Sequence, residues 1–156
     1  MLDSSINLLG VLNDIGIAPF VDKWQNDVIS ERVIGSAFAV ANLLGCGFLE
    51  KVYENALCHE LRKAGLDARQ QHAIPVLYDG VVVGDYAADI LVDECVLVEL
   101  KAVKALDQVH VAQCLNYLKA TGVPLCLLLN FGTPRLQIKR LMPSDRWRPH
   151  AHMKRD

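Results

Sequence analysis

The chain has 156 residues, of which 52% are apolar and 22% charged, and its formal net charge is −2. This composition excludes an intrinsically disordered protein and fits one globular domain with a substantial core. No apolar run reaches the roughly 18 residues of a membrane span, and the N-terminus lacks the basic start of a signal peptide. We therefore expect a cytoplasmic protein. Its five cysteines should be reduced, and because they form no CxxC pair we expect no zinc or iron–sulfur site.

Charge is distributed unevenly along the chain: residues 1–100 carry −9 and residues 101–156 carry +7. A basic C-terminal third could form a local anion-binding face. On charge alone, a solvated surface with a basic tail over residues 143–156 is the simpler interpretation.

The N-terminal part of the chain has the apolar spacing of helices. Residues 1–27 form an extension whose pattern allows a short helix over Ile6–Leu12. Apolar residues recur every three or four positions from Val28 to Leu44, which predicts a helix that the following glycines end. A second helix is predicted over Leu49–Ala64. The predicted core face of this second helix consists of Val52, Tyr53, Ala56, Leu57 and Leu61.

Strand patterns begin at residue 72. The run His72–Tyr78 is followed by the turn pair Asp79–Gly80 and three valines, which predicts a β-hairpin. The stretch Tyr86–Val103 is mostly apolar and β-branched, as in buried strands.

One helix and two strands complete the predicted elements. Asp107 is a suitable N-cap for a helix that runs to about Lys119. Val123–Asn130 has the pattern of a fully buried strand, and Leu136–Met142 that of a shorter edge strand. The predicted order is α-α-β-β-β-α-β-β, an α/β fold over a domain of residues 28–142.

Three charged residues, Asp89, Glu99 and Lys101, interrupt the apolar stretch Tyr86–Val103. If residues 93–95 form a three-residue loop, Asp89 falls opposite Glu99 on the same face of two antiparallel strands, and Lys101 points the same way. A two-residue loop would place the two carboxylates on opposite faces, and the apolar pattern does not exclude it. We favour the three-residue loop because it gathers the charges together.

This arrangement predicts a cation site. Two close carboxylates repel each other, and a divalent cation removes the conflict. A few oxygen ligands with room for water and phosphate suit Mg²⁺ or Mn²⁺. Lys101 could then hold a phosphate oxygen or orient the attacking water. An ordinary structural ion pair between Lys101 and a carboxylate is the competing interpretation.

An Asp on one strand followed by Glu99-Leu100-Lys101 on the next resembles the PD-(D/E)XK nuclease superfamily. The segment GCGFLEKVYENAL resembles the signature of its GxxExxY family, and the resemblance extends over Val28–Leu141. The sequence departs from the pattern at Ala87, where related sequences often carry Arg, and at Ala88, which replaces the Pro of the superfamily name. The remaining matching positions are Gly47, Glu50, Tyr53, Asp89, Gln113 and Tyr117.

The resemblance implies a restriction-endonuclease-like core with a mixed, α+β-like sheet and a metal site at its open edge. Asp89 and Glu99 would be metal ligands, with the Leu100 carbonyl as a third, and Lys101 would be the catalytic lysine. The catalytic set implied by the resemblance also includes Glu50, and the residues implied to lie near nucleic acid are Gln113 and Tyr117.

Several of these residues also have ordinary structural explanations. Glu50 would interact favourably with the dipole of its own helix. Gln113 and Tyr117 share a helix face with His110, and this face could simply be the solvated side, with Tyr117 partly buried. We expect His110 to be a surface residue and not a metal ligand. The core stripe of this helix is predicted to be Val111, Cys114, Leu115 and Leu118.

The leading hypothesis is a Mg²⁺- or Mn²⁺-dependent nuclease that hydrolyses phosphodiester bonds in nucleic acid, with DNA as the expected substrate. The alternative is an inactive nucleic-acid-binding or regulatory module that keeps the nuclease fold. A purely structural oligomeric protein is the weakest hypothesis, because it leaves the meeting of the three charged residues unexplained. The sequence leaves open DNA against RNA, endonuclease against exonuclease action, and whether the chain forms a homo-oligomer.

Overall fold

The computed structural model of the chain describes residues 23–144. The helix predicted over Ile6–Leu12 and nearly all of the basic tail lie outside the described residues. No helix within residues 23–144 is long and apolar enough to cross a membrane. The helices are α1 (Lys23–Leu44), α2 (Glu50–Lys63) and α3 (Gln108–Thr121), and the strands are β1 (Ala68–Tyr78), β2 (Val81–Val92), β3 (Val96–Lys101), β4 (Leu125–Asn130) and β5 (Gln137–Leu141).

The five strands form one mixed sheet in the order β1-β2-β3-β4-β5. Neighbouring strands are antiparallel except β3 and β4, which are parallel and are connected through α3. Helices α1 and α2 pack on one face of the sheet and α3 on the other. The predicted element order and the predicted α/β class with a mixed sheet are confirmed.

The face under α1 and α2 forms the larger apolar cluster. The predicted stripe of α1 is buried from Ile29 to Val40. On α2, Tyr53 and Leu57 are buried as predicted, but Val52 is 39% exposed, so its placement in the core was wrong. The position next to the core is taken instead by Glu54, which is buried. From the sheet this cluster receives the apolar side chains of Ile90, Val92, Val96, Val98 and Leu100.

The face under α3 forms a second cluster with a different helix stripe from the one predicted. Cys114 and Leu118 are buried, whereas Val111 and Leu115 are half-buried. Tyr117 is buried in this cluster, with 6% of its surface exposed. An aromatic residue contributes a large apolar area, so Tyr117 joins Cys114 and Leu118 in the core and is more deeply buried than the sequence suggested.

Two tight turns set the register of the antiparallel strands. Asp79 and Gly80 both have positive φ, +53° and +76°, as a two-residue hairpin turn of this hand requires. Asp93 and Glu94 also have positive φ, and Val92 pairs with Val96 across them. The three-residue loop predicted from the sequence is therefore confirmed.

The segment after β3 is held by the fully buried side chain of Asn130. Its Oδ1 accepts the N–H groups of Val103 and Gly132, both at 3.0 Å, and its Nδ2 donates to the Val103 carbonyl at 3.0 Å and to Gln137 Oε1 at 2.8 Å. A Cβ at Gly132 would lie 2.3 Å from the Val103 backbone, so this approach requires glycine. Asn130 thereby fixes the chain immediately after Lys101.

We expect Asn130→Ala to lower the free energy of unfolding by about 2–4 kcal/mol, because it leaves buried backbone groups of Val103 and Gly132 without partners. The control is Gln137→Ala, which removes a single hydrogen bond of an exposed residue and should cost below about 1 kcal/mol. Urea unfolding measures both changes. Equal losses in the two variants would contradict this role of Asn130.

Candidate active site

The two acidic residues meet where strands β2 and β3 stop pairing. The backbone register between these strands ends at Ile90 and Val98, one residue before Asp89 and Glu99. There the Asp89 N–H donates to Glu99 Oε1 at 2.9 Å, and the Leu100 N–H donates to Asp89 Oδ2 at 2.8 Å. The two carboxylates thus replace backbone partners and hold the end of the strand pair together.

Strand β1 is also irregular beside Asp89. Its register with β2 passes from Gln70 to His72 and omits Gln71, which has a φ of +53°. Gln71 would be the cross-strand partner of Asp89, which therefore lies outside the regular pairing on both sides. The Asp89 backbone N–H lies beyond the last residue pair of β2 and β3, and it binds the Glu99 carboxylate instead of a β3 carbonyl.

Burial raises the pKa values of both carboxyl groups, and repulsion from a neighbouring carboxylate adds to each shift. Glu99 is 2% exposed, and its pKa is raised to about 9, chiefly by burial and then by the charge of Asp89. Burial also raises the pKa of Asp89; the Leu100 N–H and Lys101 oppose this shift, whereas the charge of Glu54 adds to it. The isolated pair therefore favours carrying less than its full negative charge.

Lys101, at the end of β3, provides the positive charge of the site. Its charge lowers the pKa values of Asp89, Glu99 and Glu50, so the ammonium group is within electrostatic reach of all three carboxyl groups. Within residues 23–144, Lys101 takes part in none of the ion pairs. The arrangement differs from the structural ion pair that the sequence left as an alternative.

Glu50, in the first turn of α2, faces the same group of charges. The pKa of its carboxyl group is raised by partial burial and then by Asp89, and Lys101 acts in the opposite direction. An interaction with the helix dipole alone would not bring Glu50 within electrostatic reach of Asp89 and Lys101. The exposed carboxyl group of Glu50 is therefore within electrostatic reach of the site.

Tyr53 fixes the turn that leads into α2. Its hydroxyl donates to the Gly45 carbonyl at 2.7 Å and accepts the Phe48 N–H at 3.2 Å. Its buried ring stacks on Phe131 at 4.7 Å between centroids. Gly47, within the turn, has a φ of +113°, which favours glycine. Gly47, Glu50 and Tyr53 thus belong to one local structure: Gly47 allows the turn, Glu50 begins the helix, and Tyr53 holds the turn in place.

A residue that the sequence analysis missed, Glu54, lies next to the site. Its buried carboxylate accepts hydrogen bonds from Gln70 at 2.9 Å and from Gln71 at 2.5 Å, and it forms an ion pair with Lys51. Gln71 also approaches Asp89 Oδ1 at 3.5 Å. The available signal was the spacing of four residues from Glu50, which puts both carboxylates on one side of the helix.

Helix α3 borders the site with Gln113 and Tyr117. Gln113 Nε2 donates to the Tyr117 hydroxyl at 2.9 Å. Burial raises the pKa of Tyr117, Gln113 opposes this shift, and the charges of Glu99 and Asp89 add to it, so the hydroxyl is within electrostatic reach of the carboxylates. His110 lies in the first turn of the helix, where its Nδ1 accepts the Asp107 N–H at 3.0 Å.

The donor set fits a divalent cation that keeps several waters. One oxygen of each carboxylate accepts a backbone N–H, so the oxygens that could bind a cation are Glu99 Oε2 and Asp89 Oδ1, which has only the Gln71 amide at 3.5 Å. Within residues 23–144 no group of three or more His, Cys, Asp or Glu side chains is arranged to hold a metal. A site with two carboxylates suits Mg²⁺, which binds few protein ligands and retains water.

Comparison with known proteins places this geometry in a family. The family model of the PD-(D/E)XK nuclease superfamily matches residues 27–141. The chain belongs to this superfamily. Its mixed sheet with flanking helices is consistent with the restriction-endonuclease-like core, and nucleases of the superfamily generally use divalent metals.

Among solved structures, the chain is similar to an alkaline exonuclease, LHK-Exo, from Laribacter hongkongensis. The two share 13% sequence identity with a TM-score of 0.43, over 70% of this chain and 77% of the exonuclease chain. No curated protein matches the sequence.

We expect Tyr53→Phe to lower the free energy of unfolding by about 1 kcal/mol, because it removes the hydroxyl that binds Gly45 and Phe48 but keeps the ring stacked on Phe131. The Phe48 amide should exchange with deuterium faster, while amides of β4 keep their protection. Tyr53→Leu, which also removes the stacked ring, should cost more. Unchanged exchange at Phe48 in Tyr53→Phe would show that the hydroxyl does not hold this turn.

A second expectation concerns pH in the absence of metal. Because the folded-state pKa of Glu99 is raised from 4.5 to about 9, its contribution to stability is fully present below pH 4.5 and is lost as the pH rises towards 9. Glu99→Gln removes this loss, so its stability relative to the wild type should increase from pH 5 to pH 9. Urea unfolding in EDTA measures the difference, with Asp85→Asn, an exposed change on the neighbouring strand β2, as the control. A difference that does not vary with pH would contradict the raised pKa.

Proposed function

We propose that the chain is a divalent-metal-dependent nuclease of the GxxExxY family that hydrolyses phosphodiester bonds, with DNA as its substrate. The observation that supports this most strongly is the pair Asp89 and Glu99, a half-buried and a buried carboxylate joined through backbone N–H groups, with the charge of Lys101 acting on both. The choice of DNA follows the family resemblance. The cytoplasmic location expected from the sequence stays a prediction.

Each site residue has a distinct role in this proposal. Asp89, Glu99 and the Leu100 carbonyl would hold Mg²⁺ or Mn²⁺, which when bound would make water a stronger nucleophile and offset the charge that develops on the phosphate. The carboxylates are already fixed by hydrogen bonds, so binding the cation requires little rearrangement. Lys101 presents an ammonium donor to a phosphate oxygen or to the attacking water.

Residues outside the cation site would orient the nucleic-acid strand. The proposed additional contacts come from Glu50, which faces the site from α2, and from Gln113 and Tyr117 on α3. The hydroxyl of Tyr117 and the amide of Gln113 are hydrogen-bonded to each other, so either group can offer a further hydrogen bond to a phosphate or sugar without losing its orientation.

The first test is cleavage. Purified protein with Mn²⁺ or Mg²⁺ should cut at least one of single-stranded, duplex or branched DNA, and EDTA should abolish cutting. Lys101→Ala should lower the rate about 100-fold or more, because it removes a positive charge beside the reacting phosphate. The control is Lys104→Ala, an exposed lysine on the following loop. A wild type that binds DNA or RNA but cuts neither would support the alternative of an inactive module.

The second test is metal binding, measured by thermal unfolding. A cation that binds the folded state alone stabilises it by about 2.7 kcal/mol at a hundredfold excess over Kd, so Mn²⁺ should raise Tm. Glu99→Gln should remove most of this shift and leave the metal-free protein at least as stable, since it deletes a repulsion. Lys101→Ala should retain the shift. If metal changes no Tm and both variants are equally destabilised, Glu99 and Lys101 form a structural pair and the nuclease proposal fails.

A further inference from the structure

Tyr86 is an exposed aromatic residue close to the acidic site. It lies on β2, three residues before Asp89, and 55% of its surface is exposed. Its ring is 6.0 Å from that of Tyr117, tilted by 53°. A Cβ at Gly84 would lie 3.0 Å from the Tyr86 ring, so the ring extends over this glycine. Contacts with Tyr117 and Gly84 orient the ring, while more than half of the residue remains open to solvent.

The ring and the Glu99 side chain share one face of the sheet. Tyr86 contacts Tyr117 of α3, whose hydroxyl is within electrostatic reach of Glu99 and Asp89. Leu97, two residues before Glu99, packs in the cluster under α3, so the Glu99 side chain lies on that face as well. Three residues along a strand span about 10 Å, the length of about three nucleotides in a stacked strand.

We propose that Tyr86 is a nucleobase-stacking subsite of this active site and that the substrate presents an unpaired base there, as in a single strand or a frayed duplex end. The proposal rests on the proposed nuclease function. An exposed ring beside a backbone-binding site stacks on any base through its π-face. Bases inside a duplex are stacked on one another and do not reach such a ring.

The competing explanation is that Tyr86 only covers Gly84, as aromatic residues do for glycines in strands. A matched control separates the two. Tyr78 is 74% exposed and lies at the far end of the same hairpin, where it pairs with Val81. Val81 is eight residues before Asp89 along β2, or about 26 Å, so Tyr78 is out of reach of a strand held at the carboxylates.

The experiment measures binding by fluorescence anisotropy, using a labelled oligo-dT strand and a blunt duplex of equal length, in EDTA so that nothing is cut. Tyr86→Ala should raise the Kd for the single strand about 5- to 150-fold, the usual range for loss of one stacked base, and change the duplex Kd far less. Tyr86→Phe and Tyr78→Ala should leave both Kd values within about twofold.

An abasic scan tests the same contact in the wild type, so it does not depend on the folding of a variant. Removing single bases along the strand should weaken wild-type binding at one or two positions, and Tyr86→Leu should lose that dependence. If no abasic position weakens wild-type binding, or if Tyr86→Leu keeps the dependence, the stacking subsite is wrong even where the wild type cuts DNA. If the wild type neither binds nor cuts any nucleic acid, the nuclease proposal fails and the subsite with it.

Discussion

The reciprocal hydrogen bonds of Asp89 and Glu99 are the constraint on which the rest of the site depends. Burying two like charges side by side is unfavourable, and the raised pKa values of both groups express that cost. The same carboxylates replace the backbone partners that the strands lose where their pairing ends. One pair of side chains therefore both completes the sheet and concentrates negative charge at its edge.

The surrounding elements keep this pair in a fixed position. Tyr53 sets the turn before α2, so that Glu50 faces the carboxylates and Glu54 binds the side chains of Gln70 and Gln71. On the other side of the sheet, Asn130 holds the backbone just after Lys101. Charged groups that must act together at short range need such support, because each one repels or attracts the others.

The sequence predicted what depends on local pattern and missed what depends on neighbours across the fold. Element order, the three-residue loop and the meeting of Asp89 with Glu99 follow from apolar periodicity and the two-residue period of strands. The burial of Glu54 was missed because its glutamine partners belong to another element. Helical spacing alone also misplaced Val52 and omitted Tyr117 from the core stripe of its helix, since it does not determine which part of a helix the sheet covers.

The limited pairing of β2 with β3 divides the sheet into two blocks. Strands β1 and β2 are paired along nearly their whole length, but β2 shares three residue pairs with β3. The long hairpin is thus attached to the rest of the sheet at its base, close to the carboxylates, and its turn at Asp79–Gly80 lies far from them. Insertions or deletions at that turn would change the length of the hairpin without moving the carboxylates. The hairpin is therefore the segment in which relatives of this chain can most readily diverge in length.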